Sequence, residues 1–283
     1  LGTRLGGPIP CFTKPKHFSR KQTRSMGRVA LMSTAVTEQA LIDAGLQDNP
    51  IITDGRMGVA YGSSSGSTSG ILDFGRMMLL DKPTAVTATS YIRMMNHTTA
   101  VNIGVFFQLK GRVIPTSSAC TSGSQAIGYA YEAIRFGMQD IMVAGGAEEL
   151  CPTQASVFDT LYATSQKNDA PQTSPRPFDK DRDGLVVGEG AGTLILEELE
   201  HAKARGATIY AEVVGFGTNS DGSHITQPET NTMQVAMELA LKDAALAPEA
   251  IGYVNAHGTA TDCGDVAESL ATNRVFGSRM PIS

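Results

Sequence analysis

The sequence of 283 residues has no tryptophan, 6% aromatic residues and 18% charged ones. Its four cysteines, Cys11, Cys120, Cys151 and Cys263, are widely scattered with no CxxC pair. Neither a disulfide framework nor a zinc knuckle is therefore expected, and the setting reads as reducing and cytoplasmic. No apolar run approaches the roughly 18 residues of a membrane span. The first residues lack the apolar core and cleavage site of a secretory leader. An excess of basic charge is missing as well: 23 Lys and Arg against 28 Asp and Glu leave a net charge of −5, which argues against a nucleic-acid partner. Charge is too sparse for a self-repelling disordered chain, and 41% hydrophobic residues suffice to fill a core. Glycine is in surplus, 30 residues where about 20 are usual at this length, which predicts tight turns and close backbone approaches.

Along the chain, Ser19 is placed to cap a helix over 20–45, with Met26, Val29, Ala30, Ala40 and Leu41 on its apolar face. Residues 57–61 read as a buried strand that empties into a Gly/Ser loop over 62–70. Such loops can cradle phosphate, but this one lacks the Gly-Lys-Ser/Thr ending, so a plain flexible connection is the expectation. A helix over 91–109, a strand over 113–116, a helix over 125–136 and a strand over 141–144 follow. Residues 163–182 carry Pro171, Pro175 and Pro177 and read as a loop. Beyond them, strands are predicted over 191–199, 209–217 and 251–255, and helices over 201–205, 231–245 and 265–276. The alternation predicts an α/β fold with a mostly parallel sheet covered on both faces. Its two similar halves suggest a duplication, although no residue-level repeat is evident.

Cys120 carries the sharpest chemistry. Ser117 to Ser124 is a run of small residues between a predicted strand and the first turn of a predicted helix. Unpaired N–H groups and the helix dipole there favour a thiolate, and the Cys120 N–H could face an oxyanion. The plainer alternative is a buried cysteine packed as a small hydrophobe. Among five histidines, His201 sits by Glu198 and Glu200, as on a solvated face. His97 lies among Met94, Met95 and Thr98, as a core histidine would. His257 instead follows a predicted strand and precedes Gly258, Thr259, Ala260, Thr261 and Asp262. That is the strand end where open α/β sheets assemble ligand sites, with loop packing as the alternative.

Four blocks then carry a resemblance: 115–123 (Pro-Thr-Ser-Ser-Ala-Cys-Thr-Ser-Gly), 140–148 (Asp-Ile-Met-Val-Ala-Gly-Gly-Ala-Glu), 177–184 (Pro-Phe-Asp-Lys-Asp-Arg-Asp-Gly) with 188–192 (Gly-Glu-Gly-Ala-Gly), and 255–259 (Asn-Ala-His-Gly-Thr). In this order, over nearly the whole chain, they resemble the elongating β-ketoacyl-acyl-carrier-protein synthases. The resemblance implies a thiolase-like α/β fold of five layers, αβαβα, in two related halves. The halves would be 1–185, holding the nucleophile and lacking its start, and 186–283, incomplete. It implies an acyltransferase that condenses malonyl-acyl carrier protein with an acyl-enzyme thioester, losing carbon dioxide, in fatty acid elongation. Acyl carrier protein would be the partner and a homodimer the working form. No cofactor is implied, since 4'-phosphopantetheine arrives on the carrier.

Residue by residue, Cys120 matches the nucleophile and His257 the first of two catalytic histidines. Thr259 and Thr261 match hydroxyls that hold the pantetheine arm. Glu268 matches an acidic residue that pairs with a Lys near the second histidine, and Asp265 stands beside it in the same motif. Arg20, Lys21, Arg24 and Arg28, three or four apart on the first helix, match a basic face for the acidic carrier; a solvated basic face is the alternative. Two departures stand out. Leu185 occupies a position where the family usually has Phe, close to the acyl pocket. The Lys loop, the second histidine and a Gly-Phe-Gly-Gly segment do not follow Ser283, so an incomplete and poorly active chain is the expectation. The other readings are a chain-length-factor-like partner subunit, a polyketide-type ketosynthase, and a thiolase or starter synthase using coenzyme A.

Overall fold

Successive side chains of a strand leave on opposite faces of the sheet, and β1 (Met57–Gly62) and β3 (Ile141–Glu148) are apolar on both. The computed structural model describes residues 1–81, 83, 86–224 and 226–283. These strands form its centre, with β2 (Val113–Thr116) and β4 (Gly190–Glu197) at the edges in the order β2-β1-β3-β4. β1 runs parallel to β2 and to β3, while β4 is antiparallel to β3. The sheet is thus mixed, mostly parallel with one antiparallel edge.

The two faces are packed differently. Met57, Val59, Tyr61, Ile141 and Val143 meet Val29 and Leu41 of α2 (Arg28–Asp43) and Ala100 and Ile103 of α5 (Thr98–Phe107). Each such large side chain contributes about 2 kcal/mol by burial. On the opposite face Ala60, Met142 and Ala144 meet Ala126, Ala130 and Ala133 of α6 (Ser122–Arg135). Alanine against alanine lets the α6 backbone come close to the strands, which fixes the height of its first turn.

Two predicted helices are divided. In place of one helix over 20–45 there are α1 (Arg20–Thr23), with Ser19 and Gln22 in a capping box, and α2. The break serves packing: Gly27 lies so close to Ser67 that a Cβ would collide with it. In place of one helix over 91–109 there are α4 (Ala88–Met94) and α5, separated by Met95 in an extended conformation. α3 (Ser69–Leu80) precedes them and α8 (Leu199–Ala204) follows β4.

The chain clusters into two compact units. A sheet unit holds 8–149 and 189–212; a loop-rich unit holds 1–7, 150–188 and 213–283. The loop-rich unit contains α7 (Pro152–Thr160), α9 (Thr230–Ala244) and α10 (Asp262–Phe276), with α9 packed on α10. Neither 209–217 nor 251–255 is one of the described strands. An apolar run becomes a strand only through a ladder with a neighbour. Residues 254–256 bond to 281–283, and Gly215 and Gly217 press on the α9 backbone with no room for a Cβ.

Candidate active site

Between β2 and α6 the chain turns sharply through Ser117 to Thr121. Ala119 adopts φ +51, a left-handed conformation that costs a residue with a Cβ about 1–2 kcal/mol. Local hydrogen bonds offset that cost. The Thr121 and Ser122 N–H groups donate to the Ser118 and Ala119 carbonyls (3.2 and 3.0 Å). The Ser122 hydroxyl donates to the Ala119 carbonyl (2.7 Å) and accepts from the Ser118 N–H (2.9 Å). The Thr121 and Thr116 hydroxyls donate to the Ser118 and Ser122 carbonyls (2.7 and 2.8 Å). Beneath the turn, a Cβ at Gly62 would collide with the Ser122 carbonyl, and one at Gly146 would lie 3.0 Å from the Gly123 Cα. The last residue of β1 must therefore be glycine for α6 to start on top of it, and a glycine near the end of β3 keeps the same contact close. Cys120 is exposed at this elbow, one residue before Thr121, the N-cap of α6, where helix amides and dipole favour negative charge. Exposure removes the buried-packer alternative for Cys120; the buried cysteine is Cys151, whose Sγ accepts the Gln154 N–H.

His257 is also exposed and sits on a turn leading into α10. The Glu268 carboxylate accepts the N–H groups of His257 (2.7 Å) and Gly258 (2.9 Å). Gly258 and Ala260 adopt φ +56 and +58, the latter fully buried. Asp265, 2% exposed, accepts the Ala260 N–H (3.0 Å) and the Phe178 N–H (2.7 Å), and its Oδ2 lies 3.4 Å from Arg182 Nε. Arg182 also donates to Asp262 (2.8 Å) and to the Asp179 carbonyl (3.1 Å). One buried carboxylate with one arginine thus fastens the 177–183 loop to the turn that carries His257. The Thr259 and Thr261 hydroxyls are 2.8 Å apart, and Thr261 Oγ1 caps α10 by accepting the Gly264 N–H (3.2 Å). Beside this network is an open concavity of about 230 Å³ whose walls include Phe178, Arg182, Asp265 and Leu270.

Cys120 belongs to the sheet unit; His257, Thr259, Thr261 and Glu268 share one turn of the loop-rich unit. Glu268 bonds to the backbone of that turn, a contact that its position in the sequence did not disclose. Arg20, Lys21 and Arg24 are exposed on α1 and its C-cap. Arg28 departs from the expected patch: it forks onto the Glu189 carboxylate (both bonds 2.7 Å), which is 5% exposed and raises the guanidinium pKa further. His97 is exposed rather than a core residue. His201 lies 2.5 Å from the nearly buried Glu197, which also binds Arg205, so its face is not simply solvated.

The Gly/Ser loop is neither a phosphate cradle nor a slack connection. Its Ser64 and Ser65 N–H groups donate to Glu148 (2.7 and 3.1 Å), and Thr68 donates through N–H and hydroxyl to the buried Glu149 (2.8 and 2.7 Å). Carboxylates occupy the amides that an anion would need. Sequence reading missed Glu148, Glu149 and Arg182 as anchors. The pair of acids that closes the Gly145-Gly146-Ala147-Glu148-Glu149 run was the available clue to the first two.

Comparison with known proteins places this geometry. Residues 3–202 match the model for the beta-ketoacyl synthase N-terminal domain, and residues 210–283 match that for the beta-ketoacyl synthase C-terminal domain. A 3-oxoacyl-[acyl-carrier-protein] synthase 2 of Vibrio cholerae is 43% identical over 281 residues, covering 98% of this chain and 67% of that protein. The crystal structure of a beta-ketoacyl synthase from Burkholderia phymatum STM815 is 64% identical with a TM-score of 0.98, covering all of this chain and 69% of the other. A type II polyketide acyl carrier protein in complex with its ketosynthase, AntDE:AntF, gives 30% identity and a TM-score of 0.82, over 98% of this chain and 68% of that one. This chain thus spans about two thirds of the length of each.

Proposed function

Since this chain belongs to the beta-ketoacyl synthase family, we propose that it acts as a 3-oxoacyl-acyl-carrier-protein synthase of fatty acid elongation. The observation that carries the reading is the elbow: an exposed cysteine held one residue before the N-cap of a 14-residue helix. In the first step the Cys120 thiolate attacks the carbonyl of an acyl thioester. The tetrahedral oxyanion collapses, the pantetheine thiolate leaves, and the acyl group stays on Cys120. In the second, malonyl-acyl carrier protein loses carbon dioxide, and the carbanion attacks the Cys120 thioester to give 3-oxoacyl-acyl carrier protein and free Cys120.

The His257 imidazole donates to the enolate oxygen during decarboxylation, and Glu268 holds the backbone from which it projects. The Cys120 N–H faces the oxyanion of the first step. The hydroxyls of Thr259 and Thr261 receive the pantetheine arm. Oxygen-directed donors suffice for these steps, so no metal or organic cofactor is invoked. The exposed basic face of Arg20, Lys21 and Arg24 takes the acidic acyl carrier protein. The reading includes a cytoplasmic location and a homodimeric working form; no helix among the described residues is long and apolar enough to cross a membrane.

The test is incubation of the full protein with acyl-loaded carrier protein, read by intact mass. One acyl group on Cys120, lost in Cys120→Ala, is the expected outcome; a folded wild type that stays unmodified would remove the reading. In His257→Ala, acyl loading should persist while malonyl decarboxylation falls about 10²–10³-fold. Equal loss of both steps would deny His257 its separate role. Exclusive use of coenzyme A esters would favour a thiolase or starter synthase instead.

A further inference from the structure

The elbow is closed by its own hydroxyls, but a strained turn persists only where its surroundings over-determine it. A side chain remote in sequence reaches it as well. Asn96, in the break between α4 and α5, donates from Nδ2 to the Ser117 hydroxyl (2.6 Å) and to the Ser64 carbonyl (3.1 Å). Its Oδ1 accepts the His97 N–H (2.8 Å), which fixes the rotation of the amide. Ser64 is itself held by Glu148 at the end of β3. The 63–67 loop lies directly on this break: Gly66 has φ +62, and a Cβ there would lie 2.7 Å from the Met94 carbonyl and 3.0 Å from the Asn96 N. The break in the predicted 91–109 helix is therefore where the loop docks and where Asn96 turns toward the elbow.

We infer that Asn96 is a positioning residue for Cys120, coupling the seat of the nucleophile to the Gly/Ser loop through Ser117. The physical reason is geometric. Ser117 is three residues before Cys120, and Ala119 between them stores the strain of the turn. Releasing Ser117 lets Ala119 relax toward an ordinary conformation, and Cys120 then moves relative to the α6 amides. Misplacement of about 1 Å can cost up to about 10²-fold in rate, so loss of this one tether is expected to cost about tenfold.

This inference rests on the proposed acyl transfer for its kinetic arm, and a second arm does not. In the first, the full protein and its Asn96→Ala, Ser117→Ala, double and Ser117→Thr variants are compared for acyl transfer to Cys120. The expected result is a kcat about tenfold lower in each alanine variant with KM unchanged, no further loss in the double variant, and retention of activity in Ser117→Thr, which keeps the hydroxyl. In the second, iodoacetamide alkylation is followed peptide by peptide. The Cys120 rate should change at least about threefold in Asn96→Ala, while the exposed Cys263 stays constant and serves as internal reference. Failure of wild type to accept any acyl group would overturn the functional reading and leave alkylation to decide this one. Cys120 alkylation within about twofold of wild type, or a double variant as slow as the product of the singles, would overturn the role of Asn96. If Asn96→Ala does not fold, Ser117→Ala against Ser117→Thr decides the same question.

Discussion

The Cys120 elbow and the His257 turn solve one problem by different physics. Both must hold an alanine in a left-handed conformation, Ala119 at φ +51 and Ala260 at φ +58, beside an exposed side chain. The elbow does so by sterics and short-range bonds. It stands on glycines at the end of β1 and near the end of β3, and the hydrogen bonds that close it come from hydroxyls and amides within seven residues. The turn lies in a unit whose buried apolar residues are few, Leu241 with the small Ala260, Ala267 and Ala271 among them. There Asp265 and Glu268 bond to the backbone from one helix, and Arg182 is brought in from another loop. Where a packed sheet lies underneath, steric fit and neutral hydrogen bonds hold the turn; where it does not, charge-assisted bonds take over.

That contrast predicts unequal failures. Gly62→Ala should be the most damaging single change, because the new Cβ meets the Ser122 backbone and not a movable side chain. A loss of about 3 kcal/mol is expected in urea unfolding; a loss below about 1 kcal/mol would show that the elbow is not seated on β1. Asp265→Ala should cost about 2 kcal/mol, since it leaves the Ala260 and Phe178 amides without their acceptor and takes one of its carboxylate partners from Arg182. Asp265→Asn keeps one carbonyl acceptor and should recover about half of that. Equal losses for Ala and Asn would mean that the net charge, rather than the bonds, holds the turn. Glu268→Gln, which retains one acceptor for the His257 and Gly258 amides, should cost about 1 kcal/mol. Faster hydrogen exchange at those two amides would check it.

The same contrast explains what could be read from the sequence. Local patterns gave the sheet unit well: short apolar runs at 57–61 and 141–144, Ser19 as a cap, and small residues around Cys120 between strand and helix. Cys120 and His257 were legible because each sits where a periodic run stops. The breaks at 24–27 and 95–97 were not, since Gly27 answers to Ser67 and the 94–96 turn to Gly66, contacts between segments far apart in the chain. Arg28 looked like one of a basic row because its neighbours on the helix were visible and Glu189, 161 positions on, was not. Glu148, Glu149 and Arg182 were missed for the same reason: each bonds to a loop remote in sequence.

The smallest expected effect tests whether carboxylates hold the loop-rich unit beyond its turn. Asp159 accepts the Thr3 and Gly2 N–H groups (3.0 and 2.7 Å) and bonds to Thr164 and Gln166. These amides, then the side chains, lower its pKa from 3.8 to about 2. Because the folded value lies below the unfolded one, the contribution of Asp159 is complete above about pH 5 and is lost as pH falls toward about 2. Asp183 adds to the same window: burial pushes its pKa up, but the Gln166 N–H, the Ser165 hydroxyl and Lys167 outweigh burial and lower it. Acid should therefore release residues 2–4 from the loop-rich unit while the elbow, closed by hydroxyls and amides, keeps its geometry. Amide exchange at Thr3 between pH 5 and pH 2 measures this. A midpoint near the low value, abolished in Asp159→Asn, is expected. A midpoint at the ordinary aspartate value would mean that the N-terminal strap is held by packing, and the division between steric and charged anchoring would then stop at the His257 turn.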